Sequence, residues 1–148
     1  MTRLLFVLAM TVMATAVLAD PIEPADVRVV DGDTIEIFHM PPNVRLVGFN
    51  APESDAQRAK CEAERQLGIK AADRLREIVK AGHLDYEPVA CSCRAGTEGT
   101  MACNYARECG TLKAGGRDVG AILIGERLAV QFACGKTRCP TTPRPWCG

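Results

Sequence analysis

Val27-Arg28-Val29-Val30-Asp31-Gly32-Asp33-Thr34-Ile35-Glu36-Ile37 is the stretch that sets the architecture of this chain. Val27 and Val29 alternate with polar neighbours before Asp31-Gly32-Asp33, and Ile35 and Ile37 do so after it. A period of two marks a half-buried strand, and Asp-Gly is a strong signal for a tight reversal. Asp26 to Phe38 is therefore predicted to form a β-hairpin. A second strand, Val44 to Phe49, follows a turn at Met40-Pro41-Pro42-Asn43, and Pro52 closes it.

Beyond Pro52 the period changes. From about Asp55 to Lys80, Gly68, Ala72, Leu75 and Val79 fall on one face at helical spacing, and Ser54-x-x-Gln57 fits a capping box. The small residues on that face predict close packing against a sheet, with Gly82 as the stop. Leu84 to Val89 and Thr111 to Ala114 read as strands. Asp118 to Ile124 reads as a short helix with Val119, Ile122 and Leu123 inward. Cys91 to Cys103 lacks periodicity and is expected to be a disulfide-held excursion. The tail from Gly135 is expected to be irregular, pinned by Cys139 and Cys147. With no repeat and no long linker, this is one small α+β, mainly β, domain with one long and one short helix. A closed five-stranded barrel is one option.

The chain has 148 residues, 47% of them apolar and 24% charged, which excludes wholesale disorder. Basic and acidic residues balance at 18 each, but unevenly. Residues 20–90 carry 9 basic and 14 acidic side chains, and residues 91–148 carry 8 and 4, so an acidic half precedes a basic one. Met1-Thr2-Arg3, the uncharged run Leu4 to Leu18 and the small residues before Asp20 match a signal peptide, predicting cleavage after Ala19. The 15 residues of that run fall short of the roughly 20 that a bilayer core requires, so no membrane anchor is expected. The mature protein, residues 20–148, is then secreted or periplasmic. In an oxidising compartment the eight cysteines (61, 91, 93, 103, 109, 134, 139 and 147) favour disulfides over a zinc site drawn from Cys91, Cys93, Cys103, Cys109 and the two histidines, His39 and His83. The pairing itself is open, since eight cysteines allow 105 connectivities.

Polar residues gather at the ends of the proposed strands. Asp31-Gly32-Asp33-Thr34, then Arg45-Leu46-Val47-Gly48-Phe49-Asn50-Ala51-Pro52-Glu53, then Tyr105-Ala106-Arg107 follow one another in order. Together they resemble the thermonuclease-like family of staphylococcal nuclease homologues, whose marks are a D-G-D-T turn, an R-L-x-x-x-D-x-P-E stretch and a Y-G-R motif. Gly116-Arg117-Asp118-Val119 and Leu128-Ala129 match its later segments in spacing, so the resemblance covers about residues 26–132. It implies a five-stranded barrel of the oligonucleotide-binding (OB) type that cuts phosphodiesters of DNA or RNA with calcium. By the same resemblance Asp33, Asn50 and the Ala51 carbonyl hold the metal. Glu53 is the general base, and Arg45 and Arg107 are the catalytic arginines.

Those residue types suit the chemistry. A phosphodiester is anionic and gains charge at phosphorus oxygens during attack, which guanidiniums and an oxygen-ligated cation neutralise. Arginine offers a planar fork of donors and stays protonated. Taken singly, Arg45 could pair with Glu53, and Arg107 with Glu108 or Asp118, as ordinary surface pairs. Tyr105 is expected to pack, and His39 and His83 to be surface residues. The chain departs from the family at Asn50, where an aspartate is usual and a negative charge is lost. It departs again at Ala106 and Arg127, which replace glycines, and at Cys103, which replaces an aspartate. The expectation is a monomeric secreted nuclease acting on nucleic acid. The alternatives are an inactive homologue that binds nucleic acid or another anionic partner, and a disulfide-rich partner-binding module.

Overall fold

The computed structural model describes residues 20–148, and the proposed signal peptide lies outside the described residues. In chain order the elements are β1 (Asp20–Ile22), β2 (Val27–Val29), β3 (Thr34–Ile37), β4 (Met40–Leu46), β5 (Gly48–Asn50) and α1 (Glu62–Ala81). There follow β6 (Leu84–Val89), β7 (Glu108–Ala114), β8 (Arg117–Asp118), α2 (Val119–Gly125) and β9 (Val130–Phe132). The fold is mixed α+β and mostly strand. Seven strands form one curled sheet in the order β1-β6-β7-β4-β3-β2, with β8 on β7, and β5 pairs separately with β9. Every neighbouring pair is antiparallel except β4 and β7, which run parallel. Ile35, Val44, Leu46, Tyr86 and Leu112 from the sheet meet Leu75 and Val79 of α1 and Val119 and Leu123 of α2 in one apolar core.

The hairpin forms as its alternation predicts, with Val27 opposite Ile37 and Val29 opposite Ile35. Its glycine has a different purpose from the one expected. The loop is wider than a two-residue turn, with the Val30 and Asp31 amides both donating to the Thr34 carbonyl. Gly32 is instead needed for close approach, because a Cβ there would lie 2.6 Å from that of Ala51 and 3.0 Å from that of Ala71 on α1. The turn expected at residues 40–43 is strand. Ile37 pairs with Met40, and the reversal occurs at Phe38 and His39, the latter at φ 68°. Pro41 and Pro42 lack amide donors, and they sit where β4 has no second neighbour, since its pairing with β7 begins at Val44.

Helix α1 starts later than the capping pattern at Ser54 predicts. Asp55 instead closes a separate turn, its Oδ1 accepting the amides of Gln57 and Arg58 at 2.9 and 3.2 Å. The cap is Cys61, whose sulfur accepts the Glu64 amide, while the Glu64 carboxylate reaches back to the Lys60 amide at 2.7 Å. Gly68 on the inner face abuts the backbone of Glu53, and Gly82 ends the helix at φ 81°. Helix α2 closes in a Schellman arrangement. Leu128 donates to the Leu123 carbonyl, Arg127 to that of Ile124, and Arg127 takes the left-handed φ of 62°. An arginine thus stands where the backbone favours glycine.

All eight cysteines are paired, as 61–147, 91–109, 93–103 and 134–139. The tail is irregular, but Cys139 does not pin it to the body. It closes a small local loop with Cys134, and Cys147 alone makes the covalent tie, to Cys61 at the start of α1. Beside that tie Glu64 is fully buried and receives the Arg144 guanidinium through two bonds of 2.7 and 2.8 Å. Arg144 first, then the amides of Lys60 and Glu53, hold the Glu64 carboxyl below the usual carboxylate range against the opposing effect of burial.

Two outcomes follow from these contacts. Arg127→Gly is expected to raise the urea midpoint by the equivalent of about 1 kcal/mol, because a side chain is strained in the left-handed region; a lowered midpoint would refute the strain. A depressed folded-state carboxylate adds stability above the ordinary glutamate pKa and loses it as pH falls through the folded value. Thermal melts from pH 6 to 2 should therefore fall less steeply in Glu64→Gln than in the wild type.

Candidate nucleic-acid-cleaving site

Strand register brings the polar residues together. Thr34 on β3 lies opposite Arg45 on β4, and Arg45 lies opposite Cys109 on β7. Arg107 is two residues before Cys109 and so shares its face, beside Arg45. The Arg107 Nη1 donates to Thr34 Oγ1 at 3.1 Å, across 73 residues of sequence. No pattern in the sequence pairs β4 with β7 in parallel, so this adjacency had no local signal.

Asp33 is the buried centre, 4% exposed. Its Oδ2 accepts the Ala51 amide at 2.8 Å, and its Oδ1 faces the Thr34 hydroxyl at 3.4 Å and forms an ion pair with Arg45 Nη1. Asp31 supports the turn by accepting the Asp33 amide. The second terminal nitrogen of Arg45 donates to Asn50 Oδ1 at 2.9 Å and to the Phe49 carbonyl at 3.3 Å. Arg45 therefore pairs with Asp33 rather than with Glu53. Burial and then the neighbouring Arg107 charge lower its pKa to about 10, with Asp31 and Glu53 opposing, so it remains a cation at neutral pH.

Arg107 pairs with neither Glu108 nor Asp118, and among the described residues it has no carboxylate partner. It is aimed by Asn104, whose carbonyl accepts Nε at 3.0 Å and whose side-chain oxygen accepts Nη2 at 2.9 Å. Burial depresses its pKa as well. The turn that presents it is unusual, with Asn104, Tyr105 and Ala106 all at positive φ, and the 91–109 and 93–103 disulfides bracket it. The alanine in the glycine position of the Y-G-R pattern thus sits in the left-handed region, at φ 60°. Tyr105 does not pack inward. It is 72% exposed, with its ring 5.7 Å from the Arg107 guanidinium carbon.

Glu53, next to the buried Pro52, is itself half-buried, with Arg58 Nε at 3.6 Å. Arg58 and Asn104 are two further residues at the site that the motifs do not mark, although Asn104 directly precedes Tyr105 and Arg58 follows Glu53 by five positions. Beside Arg45 opens a cavity of about 600 Å³, with Phe49, Phe132, Asn104, Arg94 and Arg138 among its walls. Its two further arginines come from the basic half of the chain.

For a divalent cation, Asp33, Asn50 and the Ala51 carbonyl form an all-oxygen donor set, which matches calcium in type. The set carries a single negative charge, and the Asp33 and Asn50 oxygens face Arg45. Among the described residues zinc finds no comparable donors. The sulfurs of Cys91, Cys93 and Cys103 lie within 4.8 Å of one another, but all three are consumed in disulfides. His39 and His83 are exposed at the surface, as expected.

A scan against protein-family models finds no match for this chain, and a search of curated proteins finds none. What the geometry shows is two arginines side by side on one face of the curled sheet, with the Glu53 carboxylate near enough for its charge to favour both guanidiniums.

The two arginines differ in what they support. Arg45→Ala strands the buried Asp33 carboxylate and is expected to cost about 3–5 kcal/mol. Arg107→Ala, with no carboxylate to strand, is expected to cost about 1 kcal/mol. Urea titration of the two variants checks this, and equal losses would contradict the assigned partners.

Proposed function

We propose that this protein is a secreted nuclease of the thermonuclease-like family, built on a barrel of the OB type and acting as a monomer on DNA or RNA. The observation that carries the reading is that Arg45 and Arg107 lie side by side at Thr34, with the Glu53 carboxylate near enough for its charge to favour both guanidiniums, while Arg45 also lines a cavity of nucleotide size. The motifs that resemble the family supply these same residues, and they come together from distant points of the chain. Four disulfides suit an oxidising compartment, and no described helix is long and apolar enough to cross a membrane.

In this reading a phosphodiester lies against the two guanidiniums. Arg107 binds a nonbridging oxygen with a charge no carboxylate already neutralises, and Arg45 binds a second from a fixed, buried position. Both interactions strengthen as charge builds on those oxygens. Glu53 orients a water and takes its proton, and Arg58 holds that carboxylate near the phosphate. Calcium held by Asp33, Asn50 and the Ala51 carbonyl would supply further neutralisation of phosphoryl charge. A donor set with one negative charge should hold it weakly. Arg94 and Arg138 on the cavity wall extend the cationic surface that captures the strand.

A second reading has its own support. The oxygens that would ligate calcium already face Arg45, which favours a homologue that binds a nucleic acid or another anionic partner without cutting it.

Digestion of plasmid and single-stranded DNA and RNA, with calcium or with chelator, separates the two. Cutting is expected with calcium and is expected to drop by about 10²-fold or more in Glu53→Gln and in Arg107→Ala. Intact substrates at every calcium concentration, with binding that weakens steeply as salt rises, would replace the enzyme by the binding module.

A further inference from the structure

We propose that Pro143–Cys147 is a strap that positions the catalytic face, and that position 50 carries an amide because the strap requires a donor there; the catalytic part of this inference rests on the nuclease reading. Asn50 is 7% exposed and uses both ends of its side chain. Its oxygen accepts from Arg45 at 2.9 Å, and its nitrogen donates to the Pro143 carbonyl at 3.1 Å, across 93 residues. An aspartate could accept from Arg45 but would set a second oxygen against that carbonyl, leaving two acceptors facing each other without a proton. The departure from the family's acidic residue is thereby linked to the tail.

The strap continues from this contact to the start of α1. Arg144 donates in a two-pronged fork to the buried Glu64 and also to the Arg58 carbonyl at 2.8 Å. Cys147 is bonded to Cys61. Glu64 in turn accepts the Lys60 amide, and the Glu53 amide also favours its ionised form. The loop of residues 51–60, which carries Glu53 and Arg58, is thus tied to the strap at Asn50 on one side and through Glu64 and Arg144 on the other. Gly68 of α1 closes it from behind. Arg144 and Glu64 act here as positioning residues: neither is offered to the phosphate, and both fix the backbone that offers Glu53. The only covalent member of the clamp is the Cys61–Cys147 bond, so the arrangement is complete only in the oxidised chain.

Trp146, the single tryptophan of the chain, lies within the strap and reports on it directly. The test compares wild type, Cys61→Ser/Cys147→Ser, which leaves the other three disulfides and a serine cap on α1, and Arg144→Lys, which keeps the charge without the fork. Both variants should shift Trp146 emission to the red and increase its quenching by acrylamide. On single-stranded DNA, kcat should fall by about tenfold or more with little change in KM. Asn50→Asp is then placed in the strapped and the double-serine backgrounds. It should lower the melting temperature in the first and not in the second, the mark of two groups in contact. An unmoved Trp146 signal in both variants, or an equal cost of Asn50→Asp in both backgrounds, overturns the strap. A released Trp146 with unchanged kcat overturns its positioning role. If even the wild type cuts nothing, fluorescence and the melting cycle still decide the strap, and the nuclease reading falls alone.

Discussion

A carboxylate removed from water has to be matched by charge and hydrogen bonds, and in this molecule the match for Asp33 organises everything around it. Its two oxygens take the Ala51 amide, the Thr34 hydroxyl and the Arg45 guanidinium, so the start of β3, the end of β4 and the segment after β5 are joined at one point. An unpaired ion at that depth would cost several kcal/mol, which makes the arrangement strongly specified. Arg45 cannot swing away to serve another partner without exposing that cost. It is therefore a fixed cation, and Arg107, held only by neutral oxygens, is the one with charge to offer.

The disulfides divide in the same way. The 91–109 and 93–103 bonds hold the left-handed turn that aims Arg107, and 61–147 draws the tail across the loop of Glu53. In a chain this small, cross-links offset a limited core by restricting the unfolded ensemble. Here they also fall beside the residues proposed to act on the phosphate. The strain of three consecutive positive φ values at Asn104 to Ala106 persists because the surrounding covalent ties over-determine the turn.

Much of this was legible in advance. The hairpin, the inner face of α1, β6 and α2 follow from periodicity, since burial of one face imposes its own spacing on the residues. The left-handed backbone at Ala106 and Arg127 was legible as glycines missing from a pattern, and both positions have positive φ. The start of α1 was misread because Ser54-x-x-Gln57 and Cys61-x-x-Glu64 are competing signals. Glu64 wins, because its carboxylate is buried and satisfied by Arg144 from the far end of the chain. Asp31-Gly32 carries a local turn signal, although the reason for the glycine is the approach of Ala51 and of Ala71 on α1, contacts no local window contains.

By itself the sequence determined the alternation of strands and helices, the even set of cysteines and the residue types that phosphoryl chemistry needs, because each is a local or compositional property. The tertiary structure decided which of them meet. The parallel pairing of β4 with β7 put Arg107 beside Arg45, burial matched Arg45 to Asp33 and not to Glu53, and the 61–147 bond carried Pro143 to Asn50. Those are contacts between segments tens of residues apart, and their energies depend on burial and geometry that exist only once the chain has folded.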